Sequence, residues 1–110
     1  MLVELSINPL GCGTHLSKNL AEILKIIDAS RIPYCLTPSG TCIEGNWDEV
    51  MALAKQCHDQ ARSISSHVMT TLRMEDEEGT TNKLNNNITA VERAAGRPLK
   101  NIAARWSAVL

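Results

Sequence analysis

Aromatic residues are nearly missing from this sequence: Tyr34, Trp47 and Trp106 are the whole set, and there is no phenylalanine. A base-stacking platform for nucleic acid needs several exposed rings, so an RNA-reading sheet is excluded. No sign of charge dominates. Eleven Lys and Arg stand against twelve Asp and Glu, a formal net charge of −1. Such a chain has no field to draw in a polyanion or an anionic membrane. No apolar run reaches the roughly 18 residues of a bilayer crossing. Met1-Leu2-Val3-Glu4 has no basic stretch leading into an apolar one, so no secretory signal is expected and a cytoplasmic location is. Cys12, Cys35, Cys42 and Cys57 form no Cys-x-x-Cys pair, against a zinc ribbon or thioredoxin-type site. Reduced, mostly buried thiols are expected instead. His15, His58 and His67 are isolated, and no glycine-rich phosphate loop occurs, so nothing marks an enzyme. What remains is 110 residues with 44 % hydrophobic and 21 % charged content, a single domain with a modest core that oligomerisation would help to stabilise.

Periodicity orders the chain. Leu2 to Asn8 alternates, with Val3, Leu5 and Ile7 on one side and Glu4, Ser6 and Asn8 on the other, a half-buried strand. Leu16, Leu20, Ile23, Leu24 and Ile27 then make a helical stripe ending near Ala29, with Thr14 or Ser17 available as cap. Tyr34 to Pro38 and Thr41 to Gly45 read as a hairpin about Ser39-Gly40, where Gly40 can take a positive φ. That two-residue loop puts Thr37 opposite Cys42 and Cys35 opposite Glu44. Asn46-Trp47-Asp48-Glu49 starts a helix with Asn46 as cap and Glu49 reaching back; its buried stripe is Val50, Ala54, Cys57, Ala61 and Ile64. His67 to Glu75 alternates again. Leu84, Ile88, Val91 and Ala95 mark a third helix, broken at Gly96-Arg97-Pro98, and Leu99 to Leu110 carries a last apolar stripe with Trp106.

The order predicts an α+β, ferredoxin-like βαββαβ antiparallel sheet with both long helices on one face, plus a C-terminal helical extension. Residues 1–96 form the domain and 97–110 the extension. Val3, Leu5, Ile7, Leu36, Ile43, Val68 and Leu72 face the helices. Glu4, Ser6, Asn8, Cys35, Thr37, Cys42, Glu44, Thr71 and Arg73 face away. That second face is either a solvated surface or a small-molecule site in which carboxylates balance a cation and hydroxyls orient it.

The runs Glu4-Leu5-Ser6-Ile7-Asn8-Pro9-Leu10-Gly11 and Leu36-Thr37-Pro38-Ser39-Gly40-Thr41-Cys42-Ile43-Glu44-Gly45-Asn46-Trp47-Asp48-Glu49-Val50-Met51 resemble the thiamine-binding protein family. This is the family grouped with the thiamine/hydroxymethylpyrimidine-binding protein YkoF. Val68-Met69-Thr70-Thr71-Leu72-Arg73 continues the likeness, which covers roughly residues 2–95. The resemblance implies a non-catalytic ferredoxin-like subunit without a cofactor. It further implies pairing into dimers and a tetramer, and binding of thiamine or its pyrimidine moiety. With strand parity, it nominates Thr37, Glu44, Ser6, Asn8 and Thr71 as ligand-binding residues, with Glu44 opposing charge or accepting from the amino group. The scarcity of rings and the segment after Pro98 depart from that pattern.

Other readings compete. Cys12 between two glycines is a candidate reactive thiol. Cys35 and Cys42 share a sheet face and are a candidate soft-metal pair. The terminal stripe with Trp106 is a candidate docking element, which would make the protein an oligomeric interaction module with no small ligand.

Overall fold

The computed structural model describes residues 1–101. Strand β1 spans Leu2–Pro9, β2 Tyr34–Thr37, β3 Gly40–Glu44 and β4 Val68–Glu75; helix α1 spans Leu16–Ala29, α2 Trp47–Ile64 and α3 Lys83–Ala95. The strands form one antiparallel sheet in the order β2-β3-β1-β4. This is the expected ferredoxin-like α+β fold.

The alternation of β1 drives the packing. Val3, Leu5 and Ile7 are buried beside Ile43 of β3, and Ile23, Ile27, Val50, Leu53, Ala54, Cys57 and Ala61 close over them from α1 and α2. Each fully buried aliphatic side chain contributes about 1.5–3 kcal/mol. Leu53 belongs to this core although the sequence reading did not place it there, and Ile64, expected inside, is exposed at the last turn of α2. Asn46 caps α2 as expected. Its side chain accepts from the Glu49 N–H and the Glu49 carboxylate accepts from the Asn46 N–H, both at 2.9 Å. The start of α1 differs: a short 3₁₀ turn over Gly13–His15 precedes it, and neither Thr14 nor Ser17 but His15 holds the cap position, with no side-chain hydrogen bond.

The hairpin is also shifted. The turn residues are Pro38 and Ser39, and Thr37 pairs with Gly40, Cys35 with Cys42 and Tyr34 with Ile43. Pro38 takes the position where its fixed φ suits a tight turn, and the Thr37 hydroxyl donates to the Gly40 carbonyl at 2.9 Å. The shift is two residues, so both faces survive it. Gly40 is required for proximity rather than for a positive φ: a Cβ there would lie 3.0 Å from the Leu5 carbonyl oxygen of β1. Leu36 points to the helix side as expected, but β2 is the edge strand and leaves it 54 % exposed.

Helix α3 does not join the core. Ile88 and Val91, expected as its inward stripe, are 38 % and 58 % exposed. Gly96 ends it in a left-handed cap with φ 76. Beyond it, the Leu99 N–H and the Asn101 side chain both bond Glu92. The predicted stripe from Ile102 onward, with Trp106, lies outside the described residues.

Candidate functional site

Strand length creates a cavity at the edge of the sheet. β1 has eight residues, while β3 has five and pairs with β1 only from Leu2↔Glu44 to Leu5↔Thr41. Past Leu5 the hairpin turns away, and among the described residues the second half of β1 has no strand on that side. Two hydrogen bonds fix which backbone groups are left facing the gap. Gly45 donates to the Met1 carbonyl at 3.0 Å, and Leu10 donates to the His67 carbonyl at 2.8 Å. Antiparallel pairs alternate in this respect, so the odd residues of β1 address β3 and the even ones β4. The N–H and C=O of Ile7 therefore point into the gap, where the register would place the turn residue Ser39.

The gap is a cavity of about 160 Å³. Its floor is apolar, made by Leu20, Ile23, Leu24 and Ile27 of α1 with Leu36. Its rim is polar, made by Ser6, Asn8, Thr37 and Ser39. The Thr37 hydroxyl proton is committed to Gly40, which leaves its oxygen lone pairs to accept. The cavity thus offers peptide and side-chain donors and acceptors around a greasy slot, the usual make-up of a small-molecule site.

Three of the five nominated residues, Ser6, Asn8 and Thr37, meet here. The cavity opens along the sheet edge beneath α1, not on the face turned away from the helices where convergence was expected. Thr71 stands across β1 from this cavity, opposite Ser6 on the exposed face. Glu44 is committed elsewhere. Its carboxylate accepts the Lys83 N–H at 2.7 Å and the Leu84 N–H at 3.1 Å. It therefore supplies the N-terminal cap of α3, whose own cap residue, Asn82, makes no side-chain cap bond. The contributions that sequence reasoning missed are the Ile7 backbone and the residues Leu20, Pro38 and Ser39. The mismatch in length between the first strand and the hairpin strands was the available signal.

The start of α3 carries a second polar cluster. The Lys83 ammonium, only 8 % exposed, donates to Glu75 and Glu77. These bonds, that to Glu75 first, hold its pKa above the ordinary lysine value. On the open sheet face, Leu2, Glu4, Cys42, Arg73, Met74 and Glu75 line a shallow hollow of about 450 Å³. Glu4 lies between Cys42 and Arg73 in register, but no ion pair of Arg73 occurs among the described residues. Burial, and next the Glu4 carboxylate, push the Cys42 thiol up. Among the described residues, no group of three or more His, Cys, Asp or Glu is arranged to hold a metal ion.

The profile of one protein family, described as "Thiamine-binding protein", matches residues 3–92. The chain belongs to the thiamine-binding protein family. Curated relatives include UPF0045 proteins. That of Mycobacterium tuberculosis is 27 % identical over 99 residues, 89 % of this chain and 97 % of the relative. That of Synechocystis sp. is 32 % identical over 66 residues, 60 % of this chain and 54 % of the relative. Solved structures share the fold. A hypothetical protein of Methanocaldococcus jannaschii superposes with a TM-score of 0.76 at 23 % identity, over 82 % of this chain and 93 % of that one. A Thermotoga maritima protein, provisionally assigned to thiamine biosynthesis or salvage, gives 0.72 at 18 % identity, over 82 % and 96 %. No described helix of this thiamine-binding family member is long and apolar enough to cross a membrane.

Proposed function

We propose that this protein binds a small aminopyrimidine, thiamine or its hydroxymethylpyrimidine moiety, in the edge cavity, without catalysis and without a cofactor. One observation carries the reading: in a chain of the thiamine-binding family, the outward-facing peptide of Ile7 meets Ser6, Asn8 and Thr37 in one cavity. The amino group and adjacent ring nitrogen of an aminopyrimidine are a donor and an acceptor side by side. The C=O and N–H of one strand residue are the matching acceptor and donor. The flat ring then rests on Leu20 and Leu24, which supply contact where stacking rings are absent. The volume of about 160 Å³ falls below the roughly 300–1,000 Å³ of sites for drug-sized molecules. That size favours one ring in the slot, with a thiazolium ring left towards the solvent. Carriage, buffering or sensing in the cytoplasm is the role that suits such a site.

Calorimetry with hydroxymethylpyrimidine, thiamine and thiamine phosphates tests this. Binding of all three is expected, weakened about 3- to 10-fold by Asn8→Ala, the loss of one hydrogen bond of about 0.5–1.5 kcal/mol. No heat with any of them near millimolar protein overturns it.

Assembly is a second part of the reading. Exposed Ile88 and Val91 on α3 support a homo-oligomer, built as a dimer of dimers. Sedimentation of the wild type and of Val91→Asp tests that, with loss of mass expected in the variant. Full assembly without any ligand heat would favour the interaction-module reading.

A further inference from the structure

Cys35 and Cys42 lie directly opposite each other across β2 and β3, and the proposed binding role uses neither. Their pairing phase is set by a neighbour. Glu44 donates to the Pro33 carbonyl at 3.0 Å, and two residues along the same ladder Cys42 and Cys35 are therefore a hydrogen-bonded pair. Such a pair holds its Cα atoms about 5.5 Å apart with both side chains on one face, inside the roughly 4.4–6.8 Å that a disulfide spans. Both thiols are free and partly exposed, whereas Cys57 is buried. The six residues between them, 36–41, all line the edge cavity. Among the described residues β2 is an edge strand paired with β3 alone, so the outer part of this cavity wall hangs on a single ladder.

We infer that Cys35 and Cys42 are a redox clamp: they close into an intramolecular disulfide that ties the hairpin into a covalent ring and stiffens the cavity wall. The oxidant is a low-molecular-weight disulfide such as oxidised glutathione. The Cys35 thiolate, on the edge strand, attacks one glutathione sulfur and releases one glutathione thiolate. The Cys42 thiolate then attacks the Cys35 sulfur of the mixed disulfide and releases the second. Two protein thiols are oxidised, one glutathione disulfide is reduced to two glutathiones, and the two thiol protons pass to solvent or to the departing thiolates. The consequence for a ligand rests on the edge cavity being the binding site; the chemistry does not.

The test is incubation of the full chain with oxidised glutathione, followed by intact mass and peptide mapping. The expected product has lost two hydrogens, carries no glutathione, and links Cys35 to Cys42. Cys35→Ser and Cys42→Ser are each expected to stop at a stable glutathione adduct on the remaining partner. Amide hydrogen exchange over residues 36–41 is expected to slow at least threefold on oxidation and to recover with reductant. Adducts that persist on both cysteines of the wild type, or a mapped link to Cys12 or to a second chain, overturn the assignment. A Cys35–Cys42 bond that leaves exchange of the hairpin unchanged overturns the clamp. Neither readout involves a pyrimidine, so failure here and failure of the binding proposal are separable.

Discussion

Replacing Glu44 with alanine should release α3 while leaving the sheet intact. The wild-type carboxylate accepts two backbone N–H groups, from Lys83 at 2.7 Å and Leu84 at 3.1 Å. Those are donors that no intrahelical carbonyl can satisfy. Loss of an N-terminal cap costs about 0.5–2 kcal/mol, and loss of a negative charge from the positive end of the helix about 0.3–1 kcal/mol more. Apart from the Lys83 ion pairs with Glu75 and Glu77, little offsets this, since Ile88 and Val91 are exposed and α3 adds nothing to the core cluster. A combined loss of about 2 kcal/mol corresponds to roughly 30-fold in the docked-to-undocked ratio. Native-state amide exchange reads that ratio directly. In Glu44→Ala, amides of residues 83–95 should exchange about 30-fold faster, while those of Val3 and Ile43 keep wild-type protection. Glu44→Gln should fall between, because it keeps an acceptor and loses the charge. Unchanged protection across α3 in Glu44→Ala would refute the capping argument. Hydroxymethylpyrimidine affinity should not change in Glu44→Gln; a collapse there would move the ligand from the edge cavity to the open face.

Burial pushes the Cys57 thiol from an ordinary 9.0 to about 11. The folded state thus keeps a proton that the unfolded chain sheds, so this contribution is whole below about pH 9 and is lost as pH rises towards 11. Urea melts should show roughly 3 kcal/mol of decline over that range from this group, absent in Cys57→Ala. Gly45→Ala would place a Cβ 2.6 Å from Glu49 Oε1 and 3.1 Å from Val50 Cγ2, breaking the Asn46–Glu49 box. A loss of about 1 kcal/mol in urea is expected, with Asn46→Ala adding little on top because both act on the same cap. Glu4→Gln should accelerate iodoacetamide labelling of Cys42 at pH 8, since the Glu4 carboxylate is, after burial, the next cause holding that thiol protonated. An unchanged rate would leave burial, with the neighbouring Cys35, responsible.

The sequence by itself determined the strands, the two packed helices and the two faces of the sheet. Alternation in Val3-Glu4-Leu5-Ser6-Ile7 and the 3.6-residue spacing of Ile23 and Ile27 are local patterns, and water enforces them whatever the neighbours. Face assignment even survived the shifted hairpin, because a slip of two residues preserves parity. Contacts between distant segments were another matter. Glu44 looked like a ligand group because an acid inside a strand calls for a partner, and the partner is a helix start 39 residues later. The edge cavity exists because β1 outruns β3, and the Ile7 peptide is available only for that reason. Backbone carries no side-chain signature, so unequal strand lengths hint at a gap but only the closed chain decides which peptide faces it.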